Sequence, residues 1–178
     1  MRFLSFLAIS LCFLGCGGGQ YGHTREYVTL SEEDEYADNA SEVSYEEVRR
    51  DPAAFRSQTI GWFGVVTAVE LDAATGNARV AMTQRIHQPR HLCTDERESS
   101  CRVTVSERAN GPFTATVTLR PEDREGEGHV WVGSLLKIYG SPDGEFDAQG
   151  GPVISTRYYR HWPRGAFVTT GARDRMRQ

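Results

Sequence analysis

The chain has 178 residues and a formal net charge of −4. This charge argues against a general nucleic-acid binder, which would carry a strongly basic face, so no nucleic-acid partner is expected. About 160 residues follow the export signal at the N-terminus, which is enough for one domain with a real core and too few for two.

The first 15 residues have the layout of a bacterial export signal. Met1 and Arg2 form a charged start, an apolar run extends to residue 14, and Phe13-Leu14-Gly15-Cys16 ends it. About a dozen apolar residues are too few to span a hydrocarbon core, which needs about 20. The tetrapeptide resembles the lipobox of bacterial lipoproteins, in which the cysteine thiol receives the lipid. We therefore predict that residues 1–15 are removed and that Cys16 is acylated, which makes a membrane the first expected partner.

The residue after the cysteine bears on location. Gly17 stands where aspartate would retain an enteric lipoprotein in the inner membrane, which favours delivery to the outer membrane. The expected location is the bacterial cell envelope, with the domain facing the periplasm. A plain secreted protein, cut at another site, is the alternative.

Residues 16–43 are predicted to form the lipidated cysteine and a flexible acidic linker. The stretch from Arg25 to Glu47 carries nine carboxylates against one arginine. A segment of this composition repels itself and stays extended. We therefore expect a disordered acidic leader that holds the domain away from the lipid surface.

A short helix opens the folded part, because Ser44 and Glu47 have the spacing of a capping box. Residues 59–71 are rich in β-branched and aromatic side chains and predict a long first strand. Gly61 and Gly64 inside it suggest a bulge or sharp bend. Residues 72–77 then form a hairpin turn.

Further strand regions are predicted at residues 78–86, 102–106, 113–119, 130–139 and 153–161. Between them, residues 87–100 form a polar excursion and residues 121–128 a loop or short helix. Five or six closely spaced strands with one small helix predict an all-β fold. We expect a small, closed or partly open, five- to six-stranded OB-like barrel over residues 44–164, with residues 165–178 as a tail.

Two segments resemble the Slp family of starvation-inducible outer-membrane lipoproteins. The first is Val48-Arg-Arg-Asp-Pro-Ala-Ala-Phe55 with Ile60-Gly-Trp-Phe-Gly-Val-Val66, and the second is Gly151-Pro-Val153 with Tyr158-Tyr159 and Trp162. The resemblance covers most of residues 44–163 and implies a lipidated envelope protein with one β-rich domain and no established catalytic residues. The loop from His87 to Cys101 departs from the family pattern.

Two thiols remain once the signal is removed and Cys16 is acylated, namely Cys93 and Cys101. An oxidising envelope compartment favours a disulfide between them, with no cofactor. The alternative adds His87 and His91, which with the two thiolates would supply four ligands for tetrahedral zinc.

The last predicted strand alternates cations with aromatic rings. Arg157, Tyr159, Arg160 and His161 are its candidate ligand-binding residues, suited to stacking on a sugar or gripping an anionic group of an envelope protein. The alternative is that the aromatic side chains close the barrel, while the arginines are solvated or paired with the acidic leader.

The sequence carries few signatures of an enzyme. Ser106, Ser134 and Ser155 lack a nucleophile-elbow context, and neither a phosphate-binding glycine loop nor a His-Glu-x-x-His helix is present. The sequence therefore predicts a non-enzymatic, lipid-anchored binding or scaffolding module with an envelope protein or a saccharide as ligand. A zinc-binding envelope protein and a purely structural lipoprotein are the alternatives.

Overall fold

The structure is a computed structural model that describes Tyr27, residues 29–91 and residues 103–171. Three short α-helices lie within these ranges: α1 (Asp34–Asp38), α2 (Tyr45–Arg50) and α3 (Pro121–Arg124), with a 3₁₀ helix at Pro52–Phe55. The strands are β1 (Ala40–Ser41), β2 (Thr59–Leu71), β3 (Asn77–Arg85), β4 (His87–His91), β5 (Val103–Val105), β6 (Pro112–Thr118), β7 (Leu135–Phe146), β8 (Pro152–Trp162) and β9 (Phe167–Thr169).

Five strands close into a barrel in the order β2-β3-β6-β8-β7, with β7 returning to pair with β2. The β6–β8 pair is parallel and the other four pairs are antiparallel. Helix α3 lies between the third and fourth barrel strands along the chain. The all-β, OB-like barrel predicted from the sequence is therefore confirmed.

The first barrel strand begins and ends where its composition predicts, at Thr59–Leu71. Its glycines have a different role from the predicted one, because the bulge against β3 follows Val66. A Cβ on Gly64 would lie 2.7 Å from the Phe113 ring, and one on Gly61 would lie 2.8 Å from the Tyr139 ring. These glycines allow aromatic rings to pack closely on both faces of β2.

The fourth barrel strand starts later than predicted. Residues 130–134 are not part of it, because they form a loop that turns before Leu135. Val130 packs into the barrel core, while Trp131 and Val132 point to solvent. The apolar composition of residues 130–134 therefore predicts the wrong start for this strand. At its other end, β7 extends beyond the predicted residue 139 to Phe146.

Helix α2 has the predicted capping box, in which Ser44 and Glu47 bond each other's backbone N–H groups. The helix buries Tyr45 and Val48 against the barrel core. The Tyr45 hydroxyl donates to the Pro112 carbonyl at 2.8 Å. The helix thus packs on the barrel and is fixed to the start of β6.

A second apolar cluster lies on the outer side of the barrel. Phe63, Leu135 and Trp162 from the barrel strands meet Val103 and Val105 of β5 there. Strands β4, β5 and β9 form a small separate sheet, in which β9 pairs in parallel with β5. Residues 165–171 were predicted to belong to a C-terminal tail. They are instead part of the folded domain, because Phe167 packs on this outer cluster.

Residues 29–43 also differ from the prediction of a flexible linker. They contain α1, and β1 pairs in parallel with the start of β2. Tyr36 stacks on Tyr158 with ring centroids 5.0 Å apart. The acidic segment is therefore part of the domain from residue 29 on, and a buried carboxylate accounts for this packing.

Candidate functional site

The buried carboxylate is Glu33, whose side chain is 0% exposed. The Tyr27 hydroxyl lies 2.7 and 2.9 Å from its two oxygens, and the Tyr139 hydroxyl donates to it at 2.8 Å. The Leu30 backbone N–H donates at 3.2 Å, and Arg160 Nη1 lies 3.4 Å away. A buried charge is stable only when it is paired and hydrogen-bonded, and Glu33 meets both conditions.

Arg160 is thereby assigned to the fold rather than to an open ligand site. Its guanidinium lies over the Trp162 ring at 4.7 Å and donates to the Tyr27 hydroxyl at 3.1 Å. Only 9% of its side chain is exposed. This contact matches the alternative prediction from the sequence, in which an arginine of the last predicted strand pairs with the acidic leader.

The tyrosines around Glu33 are held in the neutral form. Burial raises the pKa of Tyr27 and of Tyr139 far above the ordinary value, and the Glu33 charge raises both further. Each hydroxyl therefore remains a hydrogen-bond donor to the carboxylate through the physiological pH range.

Lys137 is the single lysine of the chain. Its Nζ lies 4.4, 4.7 and 5.1 Å from the ring centroids of Tyr27, Phe63 and Tyr139. Its side chain also lines a cavity of about 510 Å³ between the leader and β2. Burial lowers the pKa of Lys137 to about 8, although the Glu33 charge opposes that shift.

We expect Lys137 to react with an amine-acylating reagent already near pH 8. Half of its amine is neutral at that pH, and only the neutral form attacks the reagent. The rate of adduct formation, followed by mass spectrometry, should rise with a midpoint near 8 instead of 10.5. Lys137→Arg is the control and removes the side-chain adduct completely. A midpoint near 10.5 would contradict the packing of the leader over this amine.

A second buried polar cluster surrounds Asp123 at the start of α3. The Tyr159 hydroxyl donates to Asp123 Oδ2 at 2.5 Å, and Arg120 Nε donates to the same oxygen at 2.9 Å. His161 Nδ1 lies 2.7 Å from Asp123 Oδ1 and therefore carries a hydrogen. Two of the predicted ligand residues, Tyr159 and His161, are thus used inside the fold.

The pKa values of this cluster follow from the same contacts. Burial of the Asp123 carboxyl raises its pKa, but hydrogen bonds from His161, Tyr159 and Arg120 outweigh burial and lower the pKa to about 2. Burial and the Asp123 hydrogen bond raise the pKa of Tyr159 to about 12. Asp123 is therefore an ionised acceptor at neutral pH.

His161 connects this cluster to Ser134, so that a serine, a histidine and an aspartate are linked in the order of a catalytic triad. His161 Nε2 lies 3.1 Å from Ser134 Oγ, and Ser134 Oγ accepts the Trp131 backbone N–H at 3.2 Å. A nucleophile needs an open side for a substrate carbonyl, and Ser134 is 0% exposed. In this arrangement the three side chains hold the loop of residues 131–134 in place.

The remaining predicted site residues are distributed as follows. Arg157 is exposed on β8. His87 lies in β4 and stacks on Phe63 with ring centroids 5.2 Å apart, and the backbone of His91 pairs with Val103. Cys16, Cys93 and Cys101 lie outside the described residues. In the part of the chain that is described, no three metal-ligating side chains are grouped closely enough to hold an ion.

An open groove of about 640 Å³ lies on the outer face of the barrel. It runs across β3, β6 and β8 and is bounded at one end by the turn between β2 and β3. In OB-folds this face, made by the second and third barrel strands beside the first loop, is the usual ligand face. The lining residues are Glu70, Leu71, Asp72, Asn77, Ala78, Arg79, Thr116, Val117, Thr118 and Thr156.

The groove offers hydroxyl, amide and guanidinium groups. The Thr118 hydroxyl donates to Asn77 Oδ1 at 2.8 Å, which leaves the Asn77 amide hydrogens for other acceptors. Arg79 is exposed and lies opposite Thr116 in the β3–β6 register. Within the described ranges, the buried Thr156 Oγ1 has no hydrogen-bond partner. The surface is therefore polar, and its three charged side chains, Glu70, Asp72 and Arg79, are exposed.

This groove is not among the sites predicted from the sequence. Asn77 and Arg79 on β3, like Thr116 and Thr118 on β6, alternate with buried residues, which is the pattern of a strand with one exposed face. That alternation predicts that each strand has an exposed face, but it does not predict which strands lie side by side. In the barrel, β6 lies between β3 and β8 and so brings their exposed faces together.

No family model, no curated protein and no solved structure matches the chain. The fold is that of a small OB-like barrel with an open polar groove on its outer face. Among the residues that the structure describes, no helix is both long and apolar enough to cross a membrane.

Proposed function

We propose that this chain is a lipid-anchored protein of the bacterial cell envelope whose OB-like domain binds a ligand without catalysing a reaction. Phe13-Leu14-Gly15-Cys16 and the resemblance to Slp-type lipoproteins support the anchor and the location, with Gly17 favouring the outer membrane. The groove across β3, β6 and β8 is the observation that carries the binding function.

The chemistry of the groove favours a saccharide over an envelope protein as ligand. Its described lining carries the hydroxyls of Thr116 and Thr118, one amide, one guanidinium and two carboxylates, whereas the Thr156 hydroxyl is buried. Such a surface matches the hydroxyl groups of a sugar chain, and OB-folds bind oligosaccharides on this face. The two carboxylates, Glu70 and Asp72, disfavour the phosphates of a nucleic acid.

The buried positions of the ionisable clusters support a non-catalytic role. Glu33 and Asp123 are engaged with donors from their own chain, and the Ser134 hydroxyl has no open side. The exposed groups of the groove supply hydrogen bonds but lack a nucleophile beside a general base. Recognition is therefore the function that this arrangement supports best.

Arg79→Ala is expected to weaken binding of soluble peptidoglycan glycan strands. Loss of one charge-assisted hydrogen bond costs about 1.5–3 kcal/mol, or roughly 10- to 150-fold in Kd. Isothermal titration calorimetry on the mature protein measures the change. Arg50→Ala, an exposed arginine outside the groove, is the matched control and should bind normally. Equal affinity of wild type, Arg79→Ala and Thr118→Ala would overturn the assignment of the groove.

Cys16→Ala is expected to abolish acylation, because the thiol is the attachment atom, and to leave the signal uncleaved. The mass of the wild-type protein extracted from envelopes should match the chain from residue 16 plus its acyl chains. The variant should lack every acyl chain. A wild-type mass without acyl chains would contradict the anchor while leaving the groove assignment intact.

A further inference from the structure

Trp131 and Val132 form the exposed apolar tip of a loop. Trp131 is 57% exposed and Val132 is 44% exposed. The other two tryptophans of the chain, Trp62 and Trp162, are 4% and 5% exposed. Trp131 is thus the one tryptophan that the domain presents to its surroundings.

The loop is held by hydrogen bonds that flank its apolar tip. The Gly133 N–H donates to the Val66 carbonyl, and the Val66 N–H donates to the Ser134 carbonyl, both at 2.9 Å. Gly133 adopts φ +92°, a conformation that favours glycine. The Ser134 hydroxyl is fixed in turn by His161, which is oriented by Asp123. These buried side chains therefore position an apolar tip.

The chain enters the domain at the same end of the barrel. Leu135, directly after the loop, pairs with Trp162 across β7 and β8. The Tyr27 ring lies 6.3 Å from the Trp162 ring. Covalent geometry lets the residues between Cys16 and Tyr27 span at most about 40 Å. A lipid on Cys16 would therefore keep this end of the barrel within reach of the bilayer.

The side chains around the tip suit a lipid headgroup layer. Arg164 is exposed and its aliphatic part lies beside Gly133, where it can meet a phosphate. The His129 ring lies 5.3 Å from the Trp131 ring. Glu125 and Glu127 are exposed nearby in sequence, so attraction to anionic lipid is not expected to dominate. Tryptophan itself favours the membrane interface.

We infer that Trp131 and Val132 insert into the headgroup region of the bilayer that carries the lipid anchor, with Arg164 at the phosphates. This inference rests on the proposed lipid anchor. It orients the barrel with the loop end toward the membrane.

The test is quenching of tryptophan emission in phosphatidylcholine bilayers with brominated acyl chains. The lipidated mature protein is reconstituted into brominated and unbrominated bilayers, and the emission spectra are compared. We expect a blue-shifted Trp131 emission that is lost on bromination. In Trp131→Phe the quenching should disappear, because the two remaining tryptophans are buried.

The matched control moves the exposed tryptophan to another surface. Phe146 is 51% exposed and lies at the far end of β7. The double variant Trp131→Phe and Phe146→Trp should show solvent-exposed emission without quenching. Equal quenching in this double variant and in wild type, or none in either, would overturn the inference.

The design separates failure of the loop inference from failure of the anchor. The mass of the protein from envelopes first establishes whether Cys16 is acylated. If it is not, the anchor proposal fails, and the same comparison is made with an N-terminal histidine tag on nickel-chelating lipid. Quenching of Trp131 in that tethered protein would support the loop contact, and its absence would overturn it.

Discussion

Glu33→Ala is expected to lower the free energy of unfolding by about 3–5 kcal/mol, the usual cost of removing one partner of a buried ion pair. The substitution removes the acceptor shared by Tyr27, Tyr139 and Arg160 and leaves their polar groups buried. It also releases the residues that connect the leader to β7 and β8. Urea denaturation of the mature protein, followed by circular dichroism, measures the loss.

The control for this prediction is the neighbouring carboxylate. Glu32 is exposed, so Glu32→Ala should change the free energy of unfolding by no more than about 0.5 kcal/mol. Glu33→Gln keeps the shape but not the charge, and its loss should fall between the two. If Glu33→Ala and Glu32→Ala unfold at the same urea concentration, the leader does not depend on this carboxylate.

Asp123→Asn is expected to remove about 2 kcal/mol of stability at neutral pH and only a small fraction of that near pH 2. The pKa of Asp123 is about 2 in the folded protein against 3.8 for an unperturbed aspartate. Because the folded value is lower, this contribution is complete above about pH 4 and is lost as the pH falls toward 2. The wild-type stability should therefore converge on that of Asp123→Asn across this interval.

The measurement is a urea titration at several pH values for both proteins, with Glu122→Gln as the matched control. Glu122 is exposed on the same helix, so its variant should follow the wild-type pH profile. A constant difference between wild type and Asp123→Asn from pH 2 to 7 would contradict the cluster of hydrogen bonds around Asp123.

Much of the barrel could be predicted from composition and turn residues. The strand at Thr59–Leu71, the turn after it and the last strand at Pro152–Trp162 follow from β-branched and aromatic runs bounded by Gly, Asp and Pro. These signals are local in the chain, and the capping box of Ser44 and Glu47 is equally local.

The contacts of the leader could not be predicted in the same way. Glu33 is one of nine carboxylates between residues 25 and 47, and nothing in its neighbourhood distinguishes it. Its partners Tyr139 and Arg160 lie 106 and 127 residues away along the chain. The composition predicts repulsion among the carboxylates of the segment, whereas contacts with distant residues bury Glu33.

The loop before β7 shows the same limit at shorter range. Val130, Trp131 and Val132 read as the start of a strand, yet only Val130 is buried. Ser134 decides the local conformation through His161, a residue 27 positions later. A pairing of this kind leaves no periodic signal in the sequence.

Binding of a saccharide in the groove can be observed residue by residue in a chemical-shift map of the mature protein titrated with soluble peptidoglycan glycan strands. Saturable shifts are expected at Asn77, Arg79, Thr116 and Thr118 on the outer face of β3 and β6 and in the turn at residues 72–76. Unchanged spectra at saturating saccharide, or shifts confined to surfaces away from this groove, would contradict the proposed binding.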